Sequence, residues 1–139
     1  MVRKVNKIHP KLERFLLTVA RRCGVKSICM GAIILSKNKV LLDLNNSIPT
    51  REASGRDLNG ALVDLIERIG IEEFSIKDYV GGFLYDNGFG ELAKNYYFII
   101  EVEKLPDKLE NDFVDVKKLE LVKDEEKIIK LALERSFPE

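Results

Sequence analysis

Apolar residues recur along this chain with two periods, and the alternation between them lays out the elements. Leu12, Phe15, Leu16, Val19, Ala20 and Cys23 fall at helical spacing between Pro10, suited to a first helical turn, and Gly24, suited to a stop, so a helix is predicted there. Its outer face would carry Lys11, Arg14, Thr18, Arg21 and Arg22. Ser27 to Leu35 is β-branched or apolar, a polar turn follows at 36–39, and Val40 to Leu44 is apolar again, which predicts a β-hairpin. Asn45 to Arg56 has no sustained period and reads as a loop. Leu58, Ala61, Leu62, Leu65, Ile66 and Ile69 then make the apolar stripe of a second helix, with Asp57 as its N-cap and Gly70 as the residue just past its end.

Beyond Gly70, Ile71 to Tyr85 and Leu92 to Glu103 read as long strands that should pair across a turn at Asp86 to Gly90. Phe89 stands between two glycines, as in a phosphate-binding loop, but Asn87-Gly88 between two strands is hairpin chemistry. On the second strand Tyr96, Phe98, Ile100 and Val102 share one face, which should be core, while Tyr97, Ile99, Glu101 and Glu103 share the other, which should be partly wet. Leu105 to Asp112 reads as a polar loop and Phe113 to Val116 as a short strand. Asp124 is expected to cap a last helix with Ile128, Ile129, Ala132 and Leu133 inward. A helix, two strands, a loop, a helix, two strands, a short strand and a helix make an α+β arrangement.

Composition narrows the class. A chain of 139 residues, 45% hydrophobic and 33% charged, suits one globular domain, and its apolar runs are too short to span a bilayer. No signal-peptide pattern is present, so a cytoplasmic location and no membrane partner are the default. Cys23 and Cys29 lack metal-ligand spacing and read as buried small apolar residues rather than as a disulfide or a nucleophile. His9 reads as a surface residue.

Net charge is zero but unevenly spread: residues 1–26 hold eight Lys or Arg against Glu13 alone, so the rest of the chain is acidic. Such a segment can meet phosphates of a ligand or nucleic acid, or dock on the chain's own acidic body, and the second is favoured. The second helix carries the other candidate chemistry. Gly60, Asp64 and Glu67 fall opposite its apolar stripe, two carboxylates one turn apart that suit either a divalent cation or an ordinary solvated face. The pattern alone favours the solvated face.

Several phrases in this order resemble the Nudix hydrolase superfamily. Cys29-Met-Gly-Ala-Ile-Ile-Leu35, a turn and Lys39-Val-Leu-Leu42 resemble its first strands, Tyr96-Tyr-Phe-Ile-Ile-Glu-Val102 the long strand after its signature helix, and Phe113-Val-Asp-Val-Lys-Lys-Leu119 its late Trp-Val…Glu-Leu phrase. The resemblance covers roughly 27–133 and implies a Nudix-like α/β/α sandwich with a mixed sheet, formed by a single unit over 27–139 with a basic helical extension over 1–26.

The signature G-x5-E-x7-R-E-U-x-E-E-x-G-U, U being bulky and aliphatic, is similar only in part and reads as degenerate. Its closing half falls on Val63-Asp-Leu-Ile-Glu-Arg-Ile-Gly-Ile71. The Arg position is Val63, the first Glu is Asp64, and the Glu pair is Glu67 and Arg68. An ungapped count puts Gly55 at the earlier Glu and Pro49 at the leading Gly, and a gap puts Arg56 at the earlier Glu.

Family members use Mg²⁺ or Mn²⁺ held by the helix carboxylates to cleave nucleoside diphosphates linked to another group. Arg68 in place of a Glu removes a ligand and adds a cation. At an effective dielectric near 20, a charge about 5 Å away acts with roughly 3 kcal/mol against even a monovalent ion.

Three functions follow, in order of preference. The first is a Nudix-fold protein that binds a nucleotide or nucleoside-diphosphate-linked ligand, with weak or no hydrolysis, through Arg51, Arg56 and Arg68. The second is an active divergent pyrophosphohydrolase with Asp64 and Glu67 as catalytic metal ligands, aided by Glu91, Glu101 or Asp112. The third is a structural or nucleic-acid-associated module led by the basic helix. A homodimer is a further partner to consider. Tyr79, Tyr85, Tyr96 and Tyr97 can stack on a base but fit core or cross-strand pairs better.

Overall fold

The computed structural model describes residues 7–36, 39–43, 47–53, 57–86, 88–102, 109, 112–115 and 123–136. These form α1 (Pro10–Arg22), β1 (Ser27–Ser36), β2 (Lys39–Leu41), β3 (Thr50–Glu52), α2 (Leu58–Ile69), β4 (Phe74–Asp86), β5 (Leu92–Val102), β6 (Phe113–Asp115) and α3 (Lys123–Ser136). The strands make one six-stranded sheet, ordered β4-β5-β1-β2-β6, with β3 laid against β1. β1 and β5 run parallel, from Ser27 opposite Ala93 to Ile34 opposite Ile100. The other pairs are antiparallel, so the sheet is mixed.

Side-chain alternation on the two central strands feeds two cores. Met30, Ala32 and Ile34 of β1 and Tyr96, Phe98 and Ile100 of β5 pack with Leu16 of α1 and with Leu58, Leu62 and Ile66 of α2. Ile33, Tyr97 and Ile99 face the other way, onto Ile128, Ile129 and Ala132 of α3. The result is an α/β/α sandwich in which parallel strands are covered on both sides. The second face of β5 is partly wet, as expected: α3 covers Tyr97 and Ile99, 0% and 4% exposed, while farther along the strand the same face meets solvent. Glu101 is exposed and Glu103 lies outside the described residues.

Departures from expectation have local causes. Thr50–Glu52, read as loop, is a strand, with Cys29, Met30 and Gly31 of β1 opposite Glu52, Arg51 and Thr50. Three residues in an exposed, intermediate, exposed pattern carry no period that sequence can reveal, and pairing alone defines them. α1 is turned from its expected stripe: Leu16 and Ala20 are buried with Leu12 and Leu17 packed partly beside them, while Phe15 is 61% exposed. Cys23 is consequently exposed, and Cys29 is intermediate rather than buried. α3 starts at Lys123, so Asp124 belongs to its first turn instead of capping it. No described helix is long and apolar enough to cross a membrane.

Candidate functional site

α2 is fixed at both ends. The Asp57 carboxylate accepts from the Gly60 N–H at 2.9 Å, and Glu13 of α1 accepts from the Asn59 N–H at 2.8 Å, so two donors that a helix start leaves open are filled from two elements. Asn59 Oδ1 in turn accepts from the Ile8 N–H at 2.8 Å. At the other end Gly70 takes a left-handed conformation, φ 105°, that a side chain would disfavour, and closes the helix with N–H bonds to Glu67 and Ile66 carbonyls. With Leu58, Leu62, Leu65 and Ile66 buried, the helix cannot rotate, and Asp64, Glu67 and Arg68 are held on its outer side.

Asp64 is enclosed by cations there. Its Oδ2 lies 2.6 Å from Arg51 Nε and 3.0 Å from Arg68 Nε, the latter one turn along the helix. Arg51 is delivered by β3, opposite Met30, so a strand rather than a loop positions it. Side-chain exposures of 35% for Arg51, 43% for Asp64 and 66% for Arg68 make these surface pairs, each worth about 0–1 kcal/mol. Both contacts run through Nε, and the terminal guanidinium nitrogens suit a further anion. Arg56, the third candidate, and Gly55 lie outside the described residues.

A hard divalent cation takes about six oxygen ligands. Glu67 is exposed and Asp64 shares its carboxylate with two guanidiniums. Among the described residues no three His, Cys, Asp or Glu side chains stand close enough to hold a metal. Glu101 pairs with Lys77 at 3.9 Å, Glu91 is exposed after the β4–β5 turn, and Asp112 lines a separate recess. The described donor set does not fit Mg²⁺ or Mn²⁺.

Beside the charged ledge is a recess of about 290 Å³ lined by Leu41, Leu42, Asp43, Pro49, Thr50, Leu65, Ile69, Leu109 and Asp112. Thr50, Leu65 and Ile69 are the chain neighbours of Arg51, Asp64 and Arg68, and Asp43 and Asp112 set two carboxylates among the otherwise largely apolar walls. The tyrosines lie elsewhere, with Tyr96 and Tyr97 buried and Tyr79 and Tyr85 half-buried. Tyr79 meets Tyr96 edge-on at 6.0 Å and Phe98 at 5.4 Å, and Phe83 stacks on Tyr97 at 5.6 Å. Burial pushes the Tyr85 and Tyr96 phenols up to about 12. It also raises the Cys29 thiol, whose Sγ lies 3.9 Å from Tyr85 Oη, unlike an activated nucleophile.

Sequence reading missed a polar cluster under α3. Asn95 Nδ2 donates to Tyr97 Oη at 2.9 Å, while Asn95 Oδ1 and Glu125 Oε2 are buried with no hydrogen-bond partner among the described residues. Glu125 is 6% exposed, and burial raises its carboxyl pKa against the opposing effect of the Ile48 N–H that bonds to it. The signal was present: Glu125, Ile128, Ile129 and Ala132 stand at i, i+3, i+4 and i+7.

A three-layer sandwich with a mixed sheet and a capped helix following β3 is the Nudix-like fold, and solved structures agree. The chain is similar to the DNA mismatch repair protein MutT, family Nudix hydrolase, from methicillin-resistant Staphylococcus aureus, with a TM-score of 0.57 at 17% identity over 78% of this chain and 96% of the other. A Nudix hydrolase from Nitrosomonas europaea gives 0.53 at 11% identity over 76% and 87%. A UDP-X diphosphatase gives 0.55 at 12% identity over 87% and 69%. No protein-family model and no curated protein sequence matches the chain.

Proposed function

We propose that this chain binds a nucleotide or nucleoside-diphosphate-linked ligand through guanidinium groups, with weak or no hydrolysis. The observation that carries this reading is the capture of Asp64 by Arg51 and Arg68 at 2.6 and 3.0 Å, on the helix where the Nudix resemblance places metal-holding carboxylates. Arginine matches the planar, bidentate demand of phosphate oxygens without a metal. The recess lined by Leu41, Leu42, Leu65, Ile69 and Leu109 suits the less polar part of such a ligand. That one of the similar folds is a UDP-X diphosphatase is in keeping with a ligand in which a nucleoside diphosphate is joined to a second group. Arg56 is proposed as a third phosphate contact.

Titration calorimetry with nucleoside diphosphates and nucleotide sugars, in EDTA and then in Mg²⁺ or Mn²⁺, tests the reading. Binding that persists in EDTA and weakens in Arg51→Ala is expected. Metal-dependent turnover that Glu67→Gln abolishes would instead establish the divergent hydrolase, with Asp64 and Glu67 as its ligands.

A further inference from the structure

We infer that the outer face of α1 is a docking surface for single-stranded nucleic acid, independent of the recess beside α2. Glu13 is the one acidic residue in 1–26, and it faces inward, spending its carboxylate on the Asn59 N–H at 2.8 Å. The outward side is therefore left without an acid. Lys11, Arg14, Arg21 and Arg22 are all exposed there, and none makes an ion pair among the described residues. Among the described residues, α1 packs on the body through Leu16, Ala20 and Glu13 rather than through its cations, with Leu16 O accepting from the buried Tyr96 Oη at 2.7 Å.

Amid these cations stands Phe15, 61% exposed. Phosphate-binding cations around an exposed ring are what an unpaired strand requires, since its bases have free faces to stack and its backbone is a line of anions. The helix has 13 residues, about 20 Å, enough for several phosphates. The cationic line continues past the helix end into a cleft of about 250 Å³ whose lining includes Arg21, Gly24 and Lys26. A bilayer is a poorer occupant, because one ring is too little apolar surface for an interfacial helix.

The test is fluorescence anisotropy of labelled single-stranded RNA, single-stranded DNA and duplex DNA, titrated with the full chain at several salt concentrations. Saturable binding of a single strand is expected, with four phosphate contacts weakening it about 50-fold between about 50 and 200 mM salt. Arg14→Ala should flatten the salt dependence by about one contact, whereas Phe15→Ala should weaken binding about tenfold with the salt dependence unchanged. Both residues are exposed, and circular dichroism confirms the fold of each variant. RNA against DNA distinguishes the source of the strand. No single-strand binding at low salt, binding indifferent to both substitutions, or binding only to anionic lipid vesicles would overturn the inference.

Discussion

Replacing Asp64 with Asn separates guanidinium-based binding from metal-based binding, because the two predict opposite signs. Asp64 Oδ2 lies 2.6 Å from Arg51 Nε and accepts from Arg68 Nε at 3.0 Å, and the substitution keeps the shape while removing the charge. A phosphate group carrying about two negative charges near 5–6 Å from that carboxylate is repelled by about 1.5 kcal/mol in a water-like dielectric. That dielectric is appropriate to a side chain 43% exposed. Removing the repulsion, and freeing both guanidiniums from a competing carboxylate, should tighten pyrophosphate or nucleoside diphosphate binding about tenfold in EDTA at low salt. The gain should shrink as salt screens it. Fold stability should fall by no more than about 1 kcal/mol, as for other exposed pairs. Calorimetry measures the affinity and a thermal melt measures the stability. Weaker binding by Asp64→Asn in EDTA would refute the guanidinium site, and loss of a Mg²⁺-dependent affinity would show that Asp64 is a metal ligand.

Burial raises the folded pKa of Glu125 above 4.5, so the folded state holds this proton more tightly than the unfolded state. Its ionisation costs stability as pH rises, and Glu125→Gln should raise the melting temperature near neutral pH by about 3–6 °C. That difference should close as the pH is lowered into the carboxylate range. Gly31→Ala would set a Cβ 2.3 Å from the buried Tyr97 ring, an overpacking that should cost about 1–3 kcal/mol in denaturant unfolding and disturb the near-ultraviolet aromatic signal. Glu13→Ala leaves the Asn59 N–H without its acceptor and should cost about 1–2 kcal/mol, with faster hydrogen exchange concentrated at the start of α2.

The elements that sequence revealed are those whose burial repeats along the chain. Leu58 to Ile69 reads as a helix because a periodic stripe, a capping Asp57 and a left-handed Gly70 agree, and all three act in the structure. β4 and β5 are legible as a hairpin for the same reason of mutual consistency. The rest depends on partners distant in sequence. Nothing in Thr50-Arg-Glu52 announces a strand without β1 beside it, so the element that holds Arg51 against Asp64 was invisible. The rotation of α1 was equally hidden, since Phe15 and Leu17 offer stripes of similar apolar content and the Glu13 contact with Asn59 accompanies the observed one. Asp64, Glu67 and Arg68 could be placed on one outward face, but which of two chemistries they serve depends on an arginine 13 residues upstream.

The parallel ladder between β1 and β5 also constrains how the molecule can be made. Its strands are joined at Ser27 with Ala93 and at Ile34 with Ile100, so the middle of the sheet waits for chain synthesised much later. At ribosomal speeds of about 5–20 residues per second, β1 emerges roughly 3–13 s before its permanent neighbour. During that interval Met30, Ala32 and Ile34 have no β5 to lie against, and the antiparallel partners β2 and β3 are the nearest available cover. A nascent chain stalled before Leu92 would therefore present an open hydrophobic strand edge, and one stalled just after β5 would still expose the face of Ile33, Tyr97 and Ile99 until α3 arrives to cover it.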